Sequence, residues 1–396
     1  MSTVPVLVQK FGGTSVATAD ARHRAVEHVR RARHDGCEVV IVVSAMGRHG
    51  DPYATDTLLD LLRAEGSSVD ARDYDLMFTC GETIAAALMS HTLRRAGIPA
   101  VGLTSAQARI YTDGQHKEAE ITDIDVSRLR TCLAQGEVPV VTGGQGVVRG
   151  TLDYTTLGRG GSDTSGVAVG VALGAARVDI FTDVEGVATT DPRLVPSARL
   201  LEHISYPRMR EMARFGARVI HPRALVAGWE SAIPIVVRST FSNRPGTLID
   251  ASSDDPRVTG IAVLSAMRTI TVEPGHVTTG IREDWERRHL VMSLVDALTG
   301  AVVLGVRADG GPELDAAVRL AGMKALAAPR DKAWVSLVGE SSELAARSAA
   351  TLDLLAGERI QVDYHEVAPL RMTLVIGTGD MTRAVRTLHR SAFEQP

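Results

Sequence analysis

The chain has 396 residues, 44% hydrophobic and 23% charged, the composition of a globular protein large enough to bury a sizeable core without disulfide or metal staples. That length suggests two or three domains, and a formal net charge of −4 gives no electrostatic case for nucleic acid or an anionic membrane as partner. Aromatics are 4%, so the core must come from Val, Leu, Ile and Ala. Cys37, Cys80 and Cys132 are odd in number, far apart and without C-x-x-C spacing, which points to reduced thiols in a cytoplasmic protein. No apolar run reaches the roughly 18 residues of a membrane span, and the short Val4–Val8 stretch is no secretory signal.

In chain order, Val4–Gln9 reads as a buried strand ending at Gly12-Gly13, and Ala19–Asp35 as an amphipathic helix. Its Arg22, Arg24, Arg30, Arg31 and Arg33 form a solvated face rather than an anion site. Glu38–Ser44 is a continuous β-branched run, as a parallel strand covered on both faces would be. A helix over Asp75–Ala96 follows, then strands at Ala100–Thr104 and Val138–Thr142. A Gly-rich loop leads into a helix through Val167–Leu173, and strands follow at Arg177–Thr182 and Pro234–Val237. This alternation predicts an open α/β sandwich with a mostly parallel sheet. The polar stretch Ala251–Arg257 reads as a linker. Beyond it, about Thr269–Leu326 and Ala333–Phe393 each run strand, helix, strand, strand, helix, a small α+β unit used twice.

Four loops near element ends carry candidate chemistry, where open α/β sheets bind ligands. Lys10-Phe11-Gly12-Gly13 follows the first strand: its glycines let backbone N–H groups approach an anion, and Lys10 supplies a point charge. On its own the turn reads equally as structure or phosphate cradle. It is not a G-x-x-x-x-G-K-[ST] loop, and no G-x-G-x-x-G follows a strand. Gly158-Arg159-Gly160-Gly161-Ser162-Asp163 opens a helix. Ser162 and Asp163 could be caps, but an Arg flanked by three glycines offers an unhindered fork to a carboxylate, and Asp163 suits an ammonium. Thr182-Asp183 closes a strand, where an acid binds ribose or organises cations near phosphates; Asp191-Pro192-Arg193 reads alone as a turn. Glu82 stands early in a helical stretch, where complementing the helix dipole is its plainest role. His116 reads as structural, and His221-Pro222-Arg223 as a helix start.

Together these segments resemble the aspartate kinases of the amino-acid kinase superfamily. The matching pieces are QKFGGTSV (Gln9–Val16), VVSAMGRHGDPYATDTLLDLL (Val42–Leu62), CGETI (Cys80–Ile84), TTLGRGGSDTS (Thr155–Ser165), DIFTDVEGV (Asp179–Val187), TTDPR (Thr189–Arg193), GARVIHPRA (Gly216–Ala224) and PIVVRSTFSNRPGTLI (Pro234–Ile249). The GDPYATD insertion is similar to the monofunctional, diaminopimelate-pathway type, and Val258–Phe393 resembles the tandem ACT regulatory domains of this family. The resemblance implies an amino-acid kinase three-layer sandwich over residues 1–250, then two α+β, ferredoxin-like ACT domains at 258–330 and 331–396. These interleave, the second completed by the 258–264 strand.

By the same resemblance the protein moves the ATP γ-phosphoryl group to the β-carboxylate of L-aspartate, with Mg²⁺ held mainly by the ATP phosphates and no protein metal site. Lys10 and Asp163 would be the catalytic pair. Ser44, Thr55, Glu82, Arg159, Gly160, Gly161 and Ser162 would bind substrate, and Lys10, Phe11, Gly12, Gly13, Thr182, Asp183, Arg193 and Arg218 would contact ATP. A homodimer through the ACT domains and an amino-acid effector there are implied as well. Three positions depart from the family: Ala188 where Tyr is usual, Arg218 where Lys is usual, and Gly144 where the common F-Q-G turn has its ring. The first ACT unit keeps Pro274-Gly275 for an effector grip; the second has Gly339-Glu340-Ser341 without Pro, so tight effector inhibition is not expected. Two other readings remain: a related kinase of altered acceptor in a specialised pathway, and a non-catalytic amino-acid-binding regulatory subunit. Retention of Lys10, Glu82, Arg159 and Asp163 speaks against the second.

Overall fold

The computed structural model describes residues 4–66, 68–252, 257–272, 292–299, 301–307 and 330–394. The linker Ala251–Arg257, the Pro274-Gly275 turn and the helices expected near Val277–Arg287 and Pro312–Ala321 lie wholly or partly outside these residues. By internal contacts the chain forms two compact units. One comprises Met1–Val187, Leu200–Tyr206 and Arg218–Ser253; the other comprises Ala188–Arg199, Pro207–Ala217 and Asp254–Pro396.

The first unit is built on an eight-stranded sheet in the order His203–Ser205, Thr247–Asp250, Ile235–Ser239, Arg177–Thr182, Val6–Phe11, Glu38–Val43, Val138–Thr142, Ala100–Leu103. All neighbours are parallel except the antiparallel pair Ile235–Ser239 and Thr247–Asp250. The strands are the runs that the sequence marks as buried: Val6–Phe11 is buried at every position and Glu38–Val43 at all but its first. Two faces of cover explain why β-branched residues fill them without alternation. On one side the helices Ala19–His34 and Ala71–Arg95 contribute Ala25, Val29, Ala86, Met89 and Leu93 to a core with Leu7, Val39, Ile41 and Val140. Of the arginine run of Ala19–His34, Arg24 pairs locally with Asp20 at 3.0 Å and Arg30 with Glu27, whereas Arg31 donates to Asn243 Oδ1 at 2.9 Å and Arg33 to Gly136 O at 3.1 Å, so the face is only partly the solvated one expected.

The helix Gly161–Leu173 crosses the sheet at close range because Gly166 and Gly170 carry no side chain. A Cβ on Gly166 would lie 3.1 Å from Lys10 Cβ, and one on Gly170 would lie 2.5 Å from Val178 Cγ2. A smaller four-stranded sheet, in the order Ile121–Ile124, Ile110–Thr112, Gln145–Val148, Tyr154–Thr156, has no counterpart in the sequence reading. Its strands have three or four residues and mixed polarity, too short to show a period of two.

The second unit holds a six-stranded antiparallel sheet in the order Met292–Val295, Val302–Arg307, Gly260–Val272, Arg330–Val338, Arg371–Gly377, Val362–Ala368. What reads in the sequence as two short strands, 258–264 and 269–272, is one strand of 13 residues with a register shift between Leu264 and Met267. Its Gly260–Leu264 part pairs with Trp334–Val338, and its Met267–Val272 part with Val302–Arg307. The Trp334 indole is fully buried, donates from Nε1 to Thr269 Oγ1 at 3.0 Å, and fills space that a side chain on Gly305 would occupy. Helices Ser341–Gly357 and Met381–His389 supply Leu344, Leu355, Val385 and Leu388 to the core beside Val335, Leu337 and Leu374.

Candidate active site

Parallel strands of the first unit end together, and the candidate loops follow from those ends: Gly12-Gly13 after Phe11, Ser44 after Val43, Gly143-Gly144 after Thr142, and Asp183 after Thr182. The turns are held backbone to backbone. Gly12 N donates to Phe181 O at 3.1 Å, Ser44 N to Phe11 O at 3.1 Å, and Gly47 N to Gly13 O at 3.1 Å. Gly13 must be glycine, since a Cβ there would lie 2.7 Å from Ala45 O and 2.9 Å from Gly47 O. The Phe11 ring is a core element, fully buried and stacked on Phe181 with centroids 4.6 Å apart, so that only its backbone is left to serve a ligand.

Lys10 and Asp163, 153 positions apart in sequence, form an ion pair with Nζ 2.5 Å from Oδ1, and both side chains are largely buried. The second Asp163 oxygen accepts from His221 N at 3.1 Å. His221 caps the helix Pro222–Glu230, as the sequence suggests. Its ring also occupies the place of a side chain on Gly160, where φ is +70° and a Cβ would lie 2.3 Å from His221 Cδ2. Ser44 Oγ donates to Ser162 Oγ at 2.7 Å, so that Ser44, Ser162, Asp163 and Lys10 belong to one polar constellation. Gly161 admits the Gly144 backbone, with Cα 3.0 Å from where its Cβ would be.

Glu82 corrects the dipole reading. The helix starts at Ala71, because Asp70 caps it by accepting from Arg72 N at 2.8 Å, and Glu82 therefore lies well inside it. Glu82 is only 3% exposed. Its Oε1 accepts from Ala45 N at 3.2 Å, and its Oε2 has no hydrogen-bond partner among the described residues. Burial pushes the Glu82 carboxyl up to about 8, against the pull of the Ala45 N–H. The helix approaches this closely because of Gly81, whose Cβ would lie 2.7 Å from Ala45 Cβ.

Arg159 is exposed on its glycine loop and, among the described residues, has no carboxylate partner; Arg218 is likewise exposed. Thr55 is the first residue of the helix Thr55–Glu65. Asp183 Oδ2 pairs with the Arg48 guanidinium at 2.5 Å, and Asp183 Oδ1 accepts from Thr182 Oγ1 at 3.2 Å. Arg193 belongs to the second unit, where it grips Asp191 by three contacts of 2.7–3.1 Å.

The sequence reading missed Asp75 and its surroundings. Asp75 is fully buried and accepts from Thr156 Oγ1 at 2.5 Å and Lys117 N at 3.1 Å, with His116 Nδ1 at 2.7 Å. This ties the loop carrying His116 to the helix that carries Glu82 and confirms His116 as structural. The only sequence signal was an acid one turn before the CGETI stretch, which nothing local distinguishes from a surface carboxylate.

A sequence model of the amino acid kinase family matches residues 5–239. The chain is 48% identical to aspartokinase 1 of Bacillus subtilis over 244 residues, which span 62% of this chain and 60% of that protein. It is 35% identical to the aspartokinase of Mycolicibacterium smegmatis over 408 aligned positions, covering 98% of this chain and 96% of the other. The fold matches that of aspartokinase III of Escherichia coli in complex with aspartate and ADP, with TM-score 0.77 and 23% identity over 98% of this chain and 100% of that one. The chain therefore belongs to the amino acid kinase family, among its aspartokinases.

Proposed function

We propose that the protein transfers the γ-phosphoryl group of ATP to the β-carboxylate of L-aspartate, giving 4-phospho-L-aspartate and ADP, a first step toward lysine, threonine and methionine. The observation that carries this reading is a built polar site with unused capacity: among the described residues the buried Glu82 Oε2 has no hydrogen-bond partner, and the exposed Arg159 has no carboxylate. An α-amino acid brings both missing partners. Full-length likeness to aspartokinases supports the choice of acceptor.

A β-carboxylate has a pKa of about 3.9 and is already a nucleophile at neutral pH, so the site needs no general base. Its task is to align two anions and screen their repulsion. A β-carboxylate oxygen forms the new bond to the γ-phosphorus, the bond to the bridging oxygen breaks, and ADP leaves. Lys10, with the Gly12 and Gly13 backbone, would hold the transferring phosphoryl group. Breaking its pair with Asp163 to do so leaves that carboxylate to face the acceptor's ammonium beside Glu82. Arg159 would clamp the α-carboxylate, and Ser44, Thr55, Gly160, Gly161 and Ser162 would line the acceptor. Thr182, Asp183 and Arg218 would contact the nucleotide. Mg²⁺ would arrive as MgATP, held mainly by phosphate oxygens and water, as its reluctance to dehydrate favours; among the described residues no group of three or more His, Cys, Asp or Glu could hold a metal.

Residues 258–330 and 331–396 would be interleaved ACT units. The pairing of Gly260–Leu264 with Trp334–Val338 supports the interleaving. They would carry the homodimer contact and an amino-acid effector site, and residues 1–250 the kinase. A cytoplasmic enzyme fits three unpaired cysteines and the absence, among the described residues, of a helix long and apolar enough to cross a membrane. The altered acceptor remains a second reading on one observation, the missing ring at Gly144. Hydroxylamine trapping decides: ATP- and aspartate-dependent hydroxamate is expected, a preference for another carboxylic amino acid would favour the second reading, and no product with any of them would leave only a binding role.

A further inference from the structure

The helix Ala71–Arg95 presents Tyr74, Phe78 and Glu82 at i, i+4 and i+8, one row along one face. One end of that row, Glu82, belongs to the site just described; the other, Tyr74, has Lys117 Nζ 5.0 Å from its ring centroid. Glu82 accepts from Ala45 N, and the Arg159 charge reaches the half-buried Tyr74 phenol, opposing the rise in its pKa that burial causes. Phe78 stands between them and is only half-buried, an aromatic surface left partly uncovered in a polar surrounding. Its ring edge meets Gly144: a Cβ there would lie 3.4 and 3.5 Å from Phe78 Cε1 and Cζ, and 3.5 Å from Ser162 N.

The turn against which the ring rests is fixed. Gly144 is held on both sides: its N donates to Ser165 Oγ at 2.9 Å, and its O accepts from Leu157 N at 2.9 Å. Gly144 adopts φ +72°, a conformation that penalises any side chain. In this chain the turn carries no ring, and the aromatic surface beside it comes from the helix.

We infer that Phe78, lodged against the bare Gly144 turn, is the apolar wall of the acceptor pocket and sets the length of dicarboxylic amino acid that the pocket accepts. The inference rests on the acceptor reading above. A rigid wall beside a fixed turn makes one extra methylene in the acceptor a steric conflict, and a difference of one methylene is worth about 10–200-fold in discrimination.

The test compares the unaltered chain with Phe78→Ala and Phe78→Leu, using L-aspartate and L-glutamate as acceptors. Each protein is first checked for its melting temperature. Phe78→Ala should raise the aspartate KM at least about tenfold with the ATP KM within about twofold, and should narrow the aspartate-to-glutamate ratio of kcat/KM about tenfold. Phe78→Leu, which keeps an apolar wall, should recover part of both. An unchanged ratio in Phe78→Ala would overturn the inference. Aspartate affinity by calorimetry separates this from the function itself: should the unaltered chain form no acyl phosphate, the proposed reaction fails. A tenfold weaker aspartate Kd in Phe78→Ala would still uphold the wall, and an equal Kd would remove it.

Discussion

The two units can be compared at their buried charged groups. In the second, buried arginines find carboxylates. Arg371 bridges Glu366 at 2.5 Å and Glu211 at 3.2 Å and lies over the Phe215 ring. Arg208, 2% exposed, reaches Thr259 Oγ1 at 2.6 Å and Glu340 at 3.1 Å. In the first unit Lys10 and Asp163 also pair, but among the described residues the buried Glu82 Oε2 has no hydrogen-bond partner and the exposed Arg159 has no carboxylate. Desolvating a charge without a partner is costly. Glu82 meets that cost by keeping its proton, and a buried carboxyl with one oxygen unused beside an exposed guanidinium marks where a ligand belongs.

The sharpest break of this comparison comes from Lys10→Ala. It removes the counter-charge for phosphate and strands Asp163, and kcat/KM should fall by about 10³-fold or more in a coupled assay of ADP release. Arg159→Ala should cost less and act chiefly on the aspartate KM. Activity of either variant within about threefold of the unaltered chain would place the site elsewhere.

Arg371→Leu attacks the closed network instead. It removes the guanidinium that both Glu211 and Glu366 share, and denaturant unfolding should show a loss of about 3–5 kcal/mol. A loss under about 1 kcal/mol would mean that this unit's charges are no better settled than those of the site.

Glu82→Gln probes the half-satisfied carboxyl. The Glu82 carboxyl, held at about 8 against an ordinary 4.5, keeps a proton in the native state that the unfolded chain releases. Its contribution to stability is thus full below about 4.5 and is lost as pH rises through about 8. Gln should flatten that slope, raise the aspartate KM about 10–100-fold, and abolish proton release on aspartate binding near pH 7, read from the buffer dependence of the calorimetric heat. Equal slopes in the two proteins would show that Glu82 is not the group concerned.

The smallest expected effect belongs to His28, which is buried against Phe181 with Nε2 3.0 Å from Thr240 O. Burial lowers it from 6.5 to about 4, so the unfolded chain binds a proton that the native one refuses. Stability is retained above about 6.5 and is lost as pH falls through about 4. His28→Gln should lessen the acid sensitivity of the melting temperature in that window without changing aspartate affinity.

Much of the first unit was legible in the sequence because its signals are local. The runs Glu38–Val43 and Val138–Thr142 are strands at or within one residue of their expected bounds, since continuous β-branched residues suit only a sheet covered on both faces. The Arg159 loop stood out by its flanking glycines, whereas the K-F-G-G turn read equally as structure or phosphate cradle until the family resemblance was added. The small sheet and the single strand Gly260–Val272 did not, because short strands and register shifts are decided by partners far away in the chain.

The sequence by itself determined the family, the order of the central strands' residues and the inventory of candidate side chains. Tertiary structure alone decided which of them act together. Lys10 finds Asp163 because two helix glycines let Gly161–Leu173 lie close on the first strand. Glu82 turns from a helix surface residue into a buried, raised carboxyl because Gly81 lets its helix press on Ala45. Phe78 meets Gly144 across 66 positions of chain. Periodicity and propensity report a residue's own element; burial and pairing depend on what the rest of the chain brings to it, and it is burial and pairing that set charge and shape at a site.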